Sequence, residues 1–177
     1  MADAHDLLGK IRTVPDFPRK GIMFRDITTL LKDGPAFAQA VDLLEKRYRQ
    51  TKADKVVGIE SRGFILGAPL ALRLGAGFVP ARKPGKLPAP VARQEYALEY
   101  GTDAIEIHRD ALQPGERVLL HDDLLATGGT MTAACRLVES LGGTIIGISF
   151  LIELSFLKGR AKLTPYDVFS LLQYDSE

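Results

Sequence analysis

The sequence predicts an α/β protein built on a mainly parallel, twisted sheet flanked by helices. Three observations predict it. Short apolar runs at 56–59, 117–121 and 144–152 read as buried strands. Segments with apolar residues at helical spacing separate them. Two loops carrying charged and small residues, 60–63 and 122–130, leave strands at their carboxyl ends, where ligands gather in such sheets.

The elements follow in order. Residues 3–12 read as a short helix with Leu7, Leu8 and Ile11 on one side. Residues 13–33 are expected to be irregular, because Pro15 and Pro18 prevent a continuous helix. Pro35 suits the first turn of a helix whose Phe37, Val41, Leu44 and Tyr48 recur at helical spacing. A strand at Val56–Ile59 precedes a helix over 63–74, and Phe78–Pro80 reads as a further strand. Residues 81–103 hold Pro84, Pro88 and Pro90, with Gly85 and Gly101, and are expected to form one long loop. Loops of that length are usually functional or mobile. Pro114-Gly115 turns the chain into a strand at Arg117–His121, followed by the loop 122–128 and a helix over 129–141 that Gly142-Gly143 stops. A long strand at 144–152, a short helix at 157–163 and a last strand at 168–172 complete the chain. There is no internal repeat.

A chain of 177 residues is long enough for one domain with a full core. Hydrophobic residues make up 46% and charged residues 25%, with a net charge of +1. Such a balance gives no general attraction to nucleic acid or to a membrane surface, so basic residues should act locally. No apolar stretch is long enough to span a bilayer, and acidic Asp3 and Asp6 argue against a signal peptide. The single cysteine, Cys135, excludes an intrachain disulfide and is compatible with a reducing, cytoplasmic setting. It shares a predicted helix face with Met131, Ala134, Val138 and Leu141, which favours core packing. His5, His108 and His121 have no metal-ligand spacing, and no protein metal site is expected.

Residues 118–131 carry the most chemistry. An apolar run meets Asp122 and Asp123, then passes through Ala126, Thr127, Gly128, Gly129 and Thr130 into a helix. Free amides and the dipole at a helix start favour a phosphate. The carboxylates would repel phosphate but accept hydrogen bonds from sugar hydroxyls. A phosphorylated sugar fits both. Neither the P-loop pattern nor the Gly-x-Gly-x-x-Gly turn is present. Ser61 and Arg62 open another predicted helix and could hold a second anion, although a capping serine and a solvated arginine are common. Arg82, Lys83, Lys86 and Arg93 cluster in the proline-rich loop, which suits a lid over a polyanion. Glu99 could move a proton in a closed site, whereas composition alone favours a glutamate facing water. Phe24 could stack on a planar base or pack in the core; the residues alone do not choose.

With these segments in view, the chain resembles the type I phosphoribosyltransferases over nearly its full length, and among them the adenine-using enzymes. The Asp122-Asp123…Thr127-Gly128-Gly129-Thr130 run carries the wider resemblance. Phe24-Arg25-Asp26-Ile27, Leu98-Glu99-Tyr100-Gly101, Glu60-Ser61-Arg62-Gly63-Phe64 and Gly85-Lys86-Leu87-Pro88 carry the narrower one. The resemblance implies formation of AMP and pyrophosphate from adenine and 5-phosphoribosyl-1-pyrophosphate (PRPP) with Mg²⁺, held mainly by substrate and water. It further implies a hood from 1–33, a flexible lid at 81–103 and a homodimer.

Residue by residue, the resemblance places the 5′-phosphate at Ala126–Thr130 and the ribose hydroxyls at Asp122 and Asp123. Pyrophosphate would meet Ser61, Arg62, Arg82, Lys83 and Lys86. Adenine would meet Met23 and Arg25 through main chain and Phe24 through its ring, with Glu99 transferring a proton. Two positions depart from the family pattern. His121 stands where an apolar residue is usual, and either faces the second side of the sheet or shifts the ionisation of the acids. Ala89, between Pro88 and Pro90, stands where glycine is common. Enzymes for other purine bases, or a PRPP sensor without catalysis, are the competing readings.

Overall fold

Residues 4–97 and 101–176 are described by the computed structural model. Five parallel strands form the central sheet: β3 (Lys55–Ile59), β4 (Gly77–Ala81), β7 (Arg117–Leu125), β8 (Thr144–Leu154) and β9 (Val168–Tyr174). Their order is β4-β3-β7-β8-β9. The chain therefore starts in the interior at β3, adds β4 on one side, and then crosses to build the other. A crevice opens where the direction of building reverses, between β3 and β7.

Each face has its own core. On one face, α5 (Gly129–Ser140) packs Met131, Ala134, Cys135 and Val138 against Val57, Val118 and Leu120. On the other, α3 (Gly34–Tyr48) and α4 (Gly63–Leu74) bury Leu44, Tyr48, Leu66 and Leu70 with Val56 and Leu119. The alternation Val56/Val57 and Leu119/Leu120 sends successive side chains to opposite faces, as the pleat requires. Pro35 does open α3, whose first turn is capped by the Asp33 carboxylate accepting from the Ala36 amide at 3.2 Å.

Several expectations change. The irregular 13–33 segment contains an antiparallel hairpin, β1 (Arg12–Val14) with β2 (Phe24–Asp26), and a short helix α2 (Thr28–Leu31). The expected helix over 3–12 is only one turn, α1 (His5–Leu8). The stretch 81–103 is not one irregular loop: β5 (Val91–Ala97) pairs antiparallel with β6 (Thr102–His108) from Ala97↔Thr102 to Val91↔His108. Ala104, Ile105 and Ile107 are buried on this arm, and the burial outweighs the breaking effect of the upstream prolines. The helix expected at 157–163 is two 3₁₀ turns, Ser155–Leu157 and Gly159–Leu163.

The strand expected to end at His121 runs on to Leu125, so both acids sit inside β7. The cause is the long neighbour β8, which pairs with β7 as far as Leu125↔Glu153. On the opposite side, β3 stops pairing at Gly58↔His121. The acid-bearing end of β7 therefore has a strand on one side and the crevice on the other.

Candidate active site

The crevice is set by how closely α4 approaches β7. A side-chain carbon on Gly63 would stand 2.9 Å from Asp122 Oδ1 and 3.1 Å from both the Asp122 Cα and the His121 carbonyl oxygen. Glycine there lets the start of α4 lie directly on the acid pair. Arg62, immediately before it, places Nε 2.8 Å from Asp123 Oδ2. That approach is too oblique for a hydrogen bond, so the buried Oδ2 keeps unused accepting capacity. The Arg62 guanidinium also lies over the Phe24 ring, 5.1 Å from its centre.

Burial pushes the Asp122 carboxyl well above the usual range, and the neighbouring Asp123 charge pushes it further. Asp123 is also raised by burial, but Arg62 pulls against the rise. Asp122 is thus the member that more readily holds a proton, and its Oδ1 accepts from the Asp123 amide at 2.8 Å. His121, the residue before them, is fully buried, with its ring between Gly67 and Ser149. Ser149 Oγ donates to the Leu120 carbonyl at 3.2 Å, which leaves it accepting from His121 Nδ1 at 2.8 Å. The ring is then neutral with a bare Nε2, and burial lowers its pKa to about 4. It adds no charge beside the acids.

Gly128, in a left-handed conformation at φ +79°, turns the chain from β7 into α5. Thr132 is the first amide of the helix to find an acceptor, the Gly128 carbonyl at 3.0 Å. The amides of Gly129, Thr130 and Met131 precede it and lack an intrahelical partner. Together the loop Ala126–Thr130 and Asp122 line a cavity of about 90 Å³. Asp122 and Thr130 also belong to a second cavity of about 460 Å³, whose other walls include Asp123, Ser61, Arg62, Lys83 and Phe24. Phe24 and Arg62 in turn border a third, apolar cleft of about 370 Å³ with Val14, Phe17 and Asp26. Shared walls join a small anion-sized hollow, a polar chamber and an apolar slot in series.

The crevice does not gather all the expected cations equally. Arg82 turns to Glu60, with Nε 3.0 Å from Oε2, and donates to the Lys86 carbonyl at 3.1 Å. Glu60 would be raised by burial, but the Lys83 amide and Arg82 hold it below its usual range. Lys83 borders the chamber, while its ammonium bonds Asp103 and donates to the Tyr96 hydroxyl at 2.8 Å. Lys86 and Met23 line none of the three cavities. The Arg25 side chain points away from the cleft and lies 4.0 Å over the Tyr174 ring. Glu99 lies outside the described residues.

Phe17 was missed from the sequence, and Asp26 entered only as part of the Phe24–Ile27 motif, without a role. Phe17 is half exposed and meets Phe24 edge-on at 5.1 Å. Asp26 is held by Arg12, and that hydrogen bond, with the Thr28 amide, lowers its pKa to about 2. The unforeseen β1–β2 pairing is what brings Arg12 to Asp26, its register pair, and with it the turn that carries Phe17.

Comparison with known proteins gives the family. The family described as phosphoribosyl transferase domain matches residues 28–174. An adenine phosphoribosyltransferase of Chloroflexus aurantiacus is 60% identical over 169 residues, covering 96% of this chain and 98% of the relative. The crystal structure of the adenine phosphoribosyltransferase from Thermoanaerobacter pseudethanolicus superposes with a TM-score of 0.94 at 55% identity, covering 97% of this chain and 99% of the other. The Saccharomyces cerevisiae enzyme, solved with an imino-altritol bisphosphate and adenine, gives 0.90 at 43% identity, covering 96% and 98%.

Proposed function

The chain belongs to the adenine phosphoribosyltransferases of the phosphoribosyl transferase family, and from that premise we propose how its joined cavities divide the substrates. The enzyme transfers the 5-phosphoribosyl group from PRPP to adenine in purine salvage, giving AMP and pyrophosphate. The observation that carries the assignment of residues is the serial arrangement of the three cavities at the β3/β7 reversal.

In this reading the amides of the Ala126–Thr130 loop take the 5′-phosphate in the small hollow. Asp122 and Asp123 accept from the ribose hydroxyls, filling the vacant capacity of Asp123 Oδ2. The diphosphate occupies the polar chamber beside Ser61, Arg62 and Lys83, with Arg82 and Lys86 reaching it from the arm. Arg82 and Lys83 must first exchange Glu60 and Asp103 for diphosphate oxygens. Adenine enters the apolar slot against Phe24, with Met23 and Arg25 contributing main-chain groups. Carbon C1′ then sits between slot and chamber, and Arg62 is the fixed cation nearest that boundary. As the C1′–oxygen bond to diphosphate breaks, the new bond forms to a ring nitrogen of adenine, and Glu99 handles the proton. Ala97, the last described residue before Glu99, has its carbonyl oxygen 3.6 Å from where a side-chain carbon on Gly129 would stand, and this neighbour of the loop supports the assignment of Glu99.

Mg²⁺ fits the residues present as a substrate-borne ion. The crevice offers a pair of carboxylates, and the described residues hold no group of three metal-ligand side chains, so most ligands would come from PRPP and water. When bound, the ion supplies positive charge to the departing diphosphate.

We further propose a homodimer, supported by the exposed apolar row Ile65, Ala68 and Leu72 on α4; Leu72 is 81% exposed. A single domain with 1–33 as hood and 81–103 as lid, and a cytoplasmic location, complete the reading. Cys135 is buried and unpaired, as a reducing compartment permits. No helix of the described residues is long and apolar enough to cross a membrane.

The test offers adenine, hypoxanthine, guanine and xanthine separately with PRPP and follows nucleotide formation. Adenine alone should give rapid product. Turnover of hypoxanthine without adenine turnover would reject the assignment of the slot.

A further inference from the structure

The phosphate loop leans on a segment thirty residues further along the chain. A side-chain carbon on Gly159 would lie 2.1 Å from the Ala126 carbonyl oxygen and 3.0 Å from the Gly128 nitrogen. From the other side, a carbon on Gly128 would lie 2.6 Å from the Gly159 carbonyl oxygen. Every atom in this contact is backbone, so no rotamer change can relieve an added methyl group. Gly159 is buried, and it opens the second 3₁₀ turn.

Its neighbour fixes it in place. Arg160 grips Glu153 with both sides of its guanidinium, Nε lying 3.0 Å from Oε1, and donates through Nη1 to the Val168 carbonyl at 2.6 Å. Ser170 Oγ donates to the same carboxylate at 2.7 Å. Glu153 is only 4% exposed, and its register partner on β7 is Leu125, the last residue before the loop. The contacts close a ring from Leu125 through Glu153, Arg160 and Gly159 back to Ala126 and Gly128.

We propose that Gly159, locked by the Arg160–Glu153 ion pair, is a positioning residue that holds the phosphate loop against β8 and aims its amides at the 5′-phosphate of PRPP. The proposal rests on the reading of Ala126–Thr130 as the phosphate site. It deepens that reading by naming what keeps the loop rigid when no ligand is bound. A displacement on the order of 1 Å at such donors can cost about a hundredfold in function.

The experiment compares wild type with Gly159→Ala, Glu153→Gln and the loop variant Gly128→Ala. It measures binding of ribose 5-phosphate and of inorganic pyrophosphate, and the KM of PRPP and of adenine. Gly159→Ala should weaken ribose 5-phosphate and raise the PRPP KM about tenfold or more, with pyrophosphate binding and the adenine KM changed by less than about twofold. Glu153→Gln, which keeps the shape but loses the charge, should give the same selective pattern at about threefold. If Gly159→Ala does not fold, Glu153→Gln decides the matter alone. Unchanged ribose 5-phosphate binding in these variants, or equal loss for both ligands, overturns the proposal. If Gly128→Ala also leaves ribose 5-phosphate binding intact, the phosphate-site reading falls with it; if only that variant loses binding, the reading stands and the Gly159 proposal alone fails.

Discussion

Replacing Arg62 by glutamine removes the cation that, among the described residues, faces the Asp123 carboxylate at contact distance, 2.8 Å. At an effective dielectric of ~20, charges at that separation attract by about 6 kcal/mol. Arg62 is 32% exposed on its side chain, so solvent screening leaves about half of this, ~3 kcal/mol. That attraction also exists in the free enzyme and bears on Asp123 itself; the loss in kcat/KM for PRPP comes from removing a preorganised cation beside the departing diphosphate, typically about a hundredfold. The pH profile should change as well. Burial raises Asp123 and Arg62 lowers it, so without Arg62 the carboxyl takes a proton at higher pH. In the proposed reading the ribose needs the ionised, accepting form, so the acid limb of kcat/KM should move upward. Initial rates with varied PRPP between about pH 5 and 9 measure both effects. Arg62→Lys keeps the charge and should keep the acid limb while losing the fixed geometry. A glutamine variant with an unmoved acid limb and PRPP kinetics within about twofold would refute the assignment of Arg62 as the counter-charge.

Three further outcomes follow from the same contacts. Glu99→Ala should lower kcat far more than it changes PRPP binding, and single-turnover rates separate the two; equal losses would remove Glu99 from proton transfer. Asp26, lowered to about 2 chiefly by its hydrogen bond from Arg12, adds stability that is present above its ordinary pKa and is lost as the pH falls through about 2. Because Arg12 is largely exposed, Asp26→Asn should cost about 1 kcal/mol at pH 7, a fall of roughly 2–4 °C in Tm, and almost nothing near pH 2. His121 titrates at about 4 when folded and near its ordinary value of 6.5 when unfolded, so the unfolded chain gains protons first. Wild type should therefore lose about 3 kcal/mol between pH 6.5 and 4, a loss that denaturant titration would find missing in His121→Leu.

The elements legible in the sequence were those whose signal is local. Gly63–Leu74 could be bounded because a buried strand precedes it and Gly75 follows its last apolar residue. The acid pair and the Gly128-Gly129 turn were legible because like charges beside an apolar run have few other uses. What was not legible depends on partners distant in sequence. Three-residue strands such as Arg12–Val14 are too short to show a period, and without their pairing Arg12 and Phe17 have no visible relation to the Phe24–Ile27 motif. The β5–β6 arm was hidden by Pro84, Pro88 and Pro90, although Ala104, Ile105 and Ile107 carry its buried face. The ion pairs of Arg82 and Lys83 could not be read from a cluster of cations, because Glu60 and Asp103 come from other elements.

The unequal lengths of the sheet's neighbours explain why a buried acid pair is tolerable at all. Had β3 paired with β7 to its end, Asp122 and Asp123 would face a packed wall, and two carboxylates without partners would cost several kcal/mol. Because the β3 ladder stops at Gly58↔His121, the acids face a space that a ligand can fill. The long β8 ladder meanwhile holds their backbone in place. Arg62 offsets part of the cost on one side, and Oδ2 of Asp123 still lacks a hydrogen-bond donor. In the proposed reading, sugar hydroxyls arriving in the chamber would satisfy a group already desolvated and fixed in direction, the condition under which a modest number of hydrogen bonds yields strong, oriented binding.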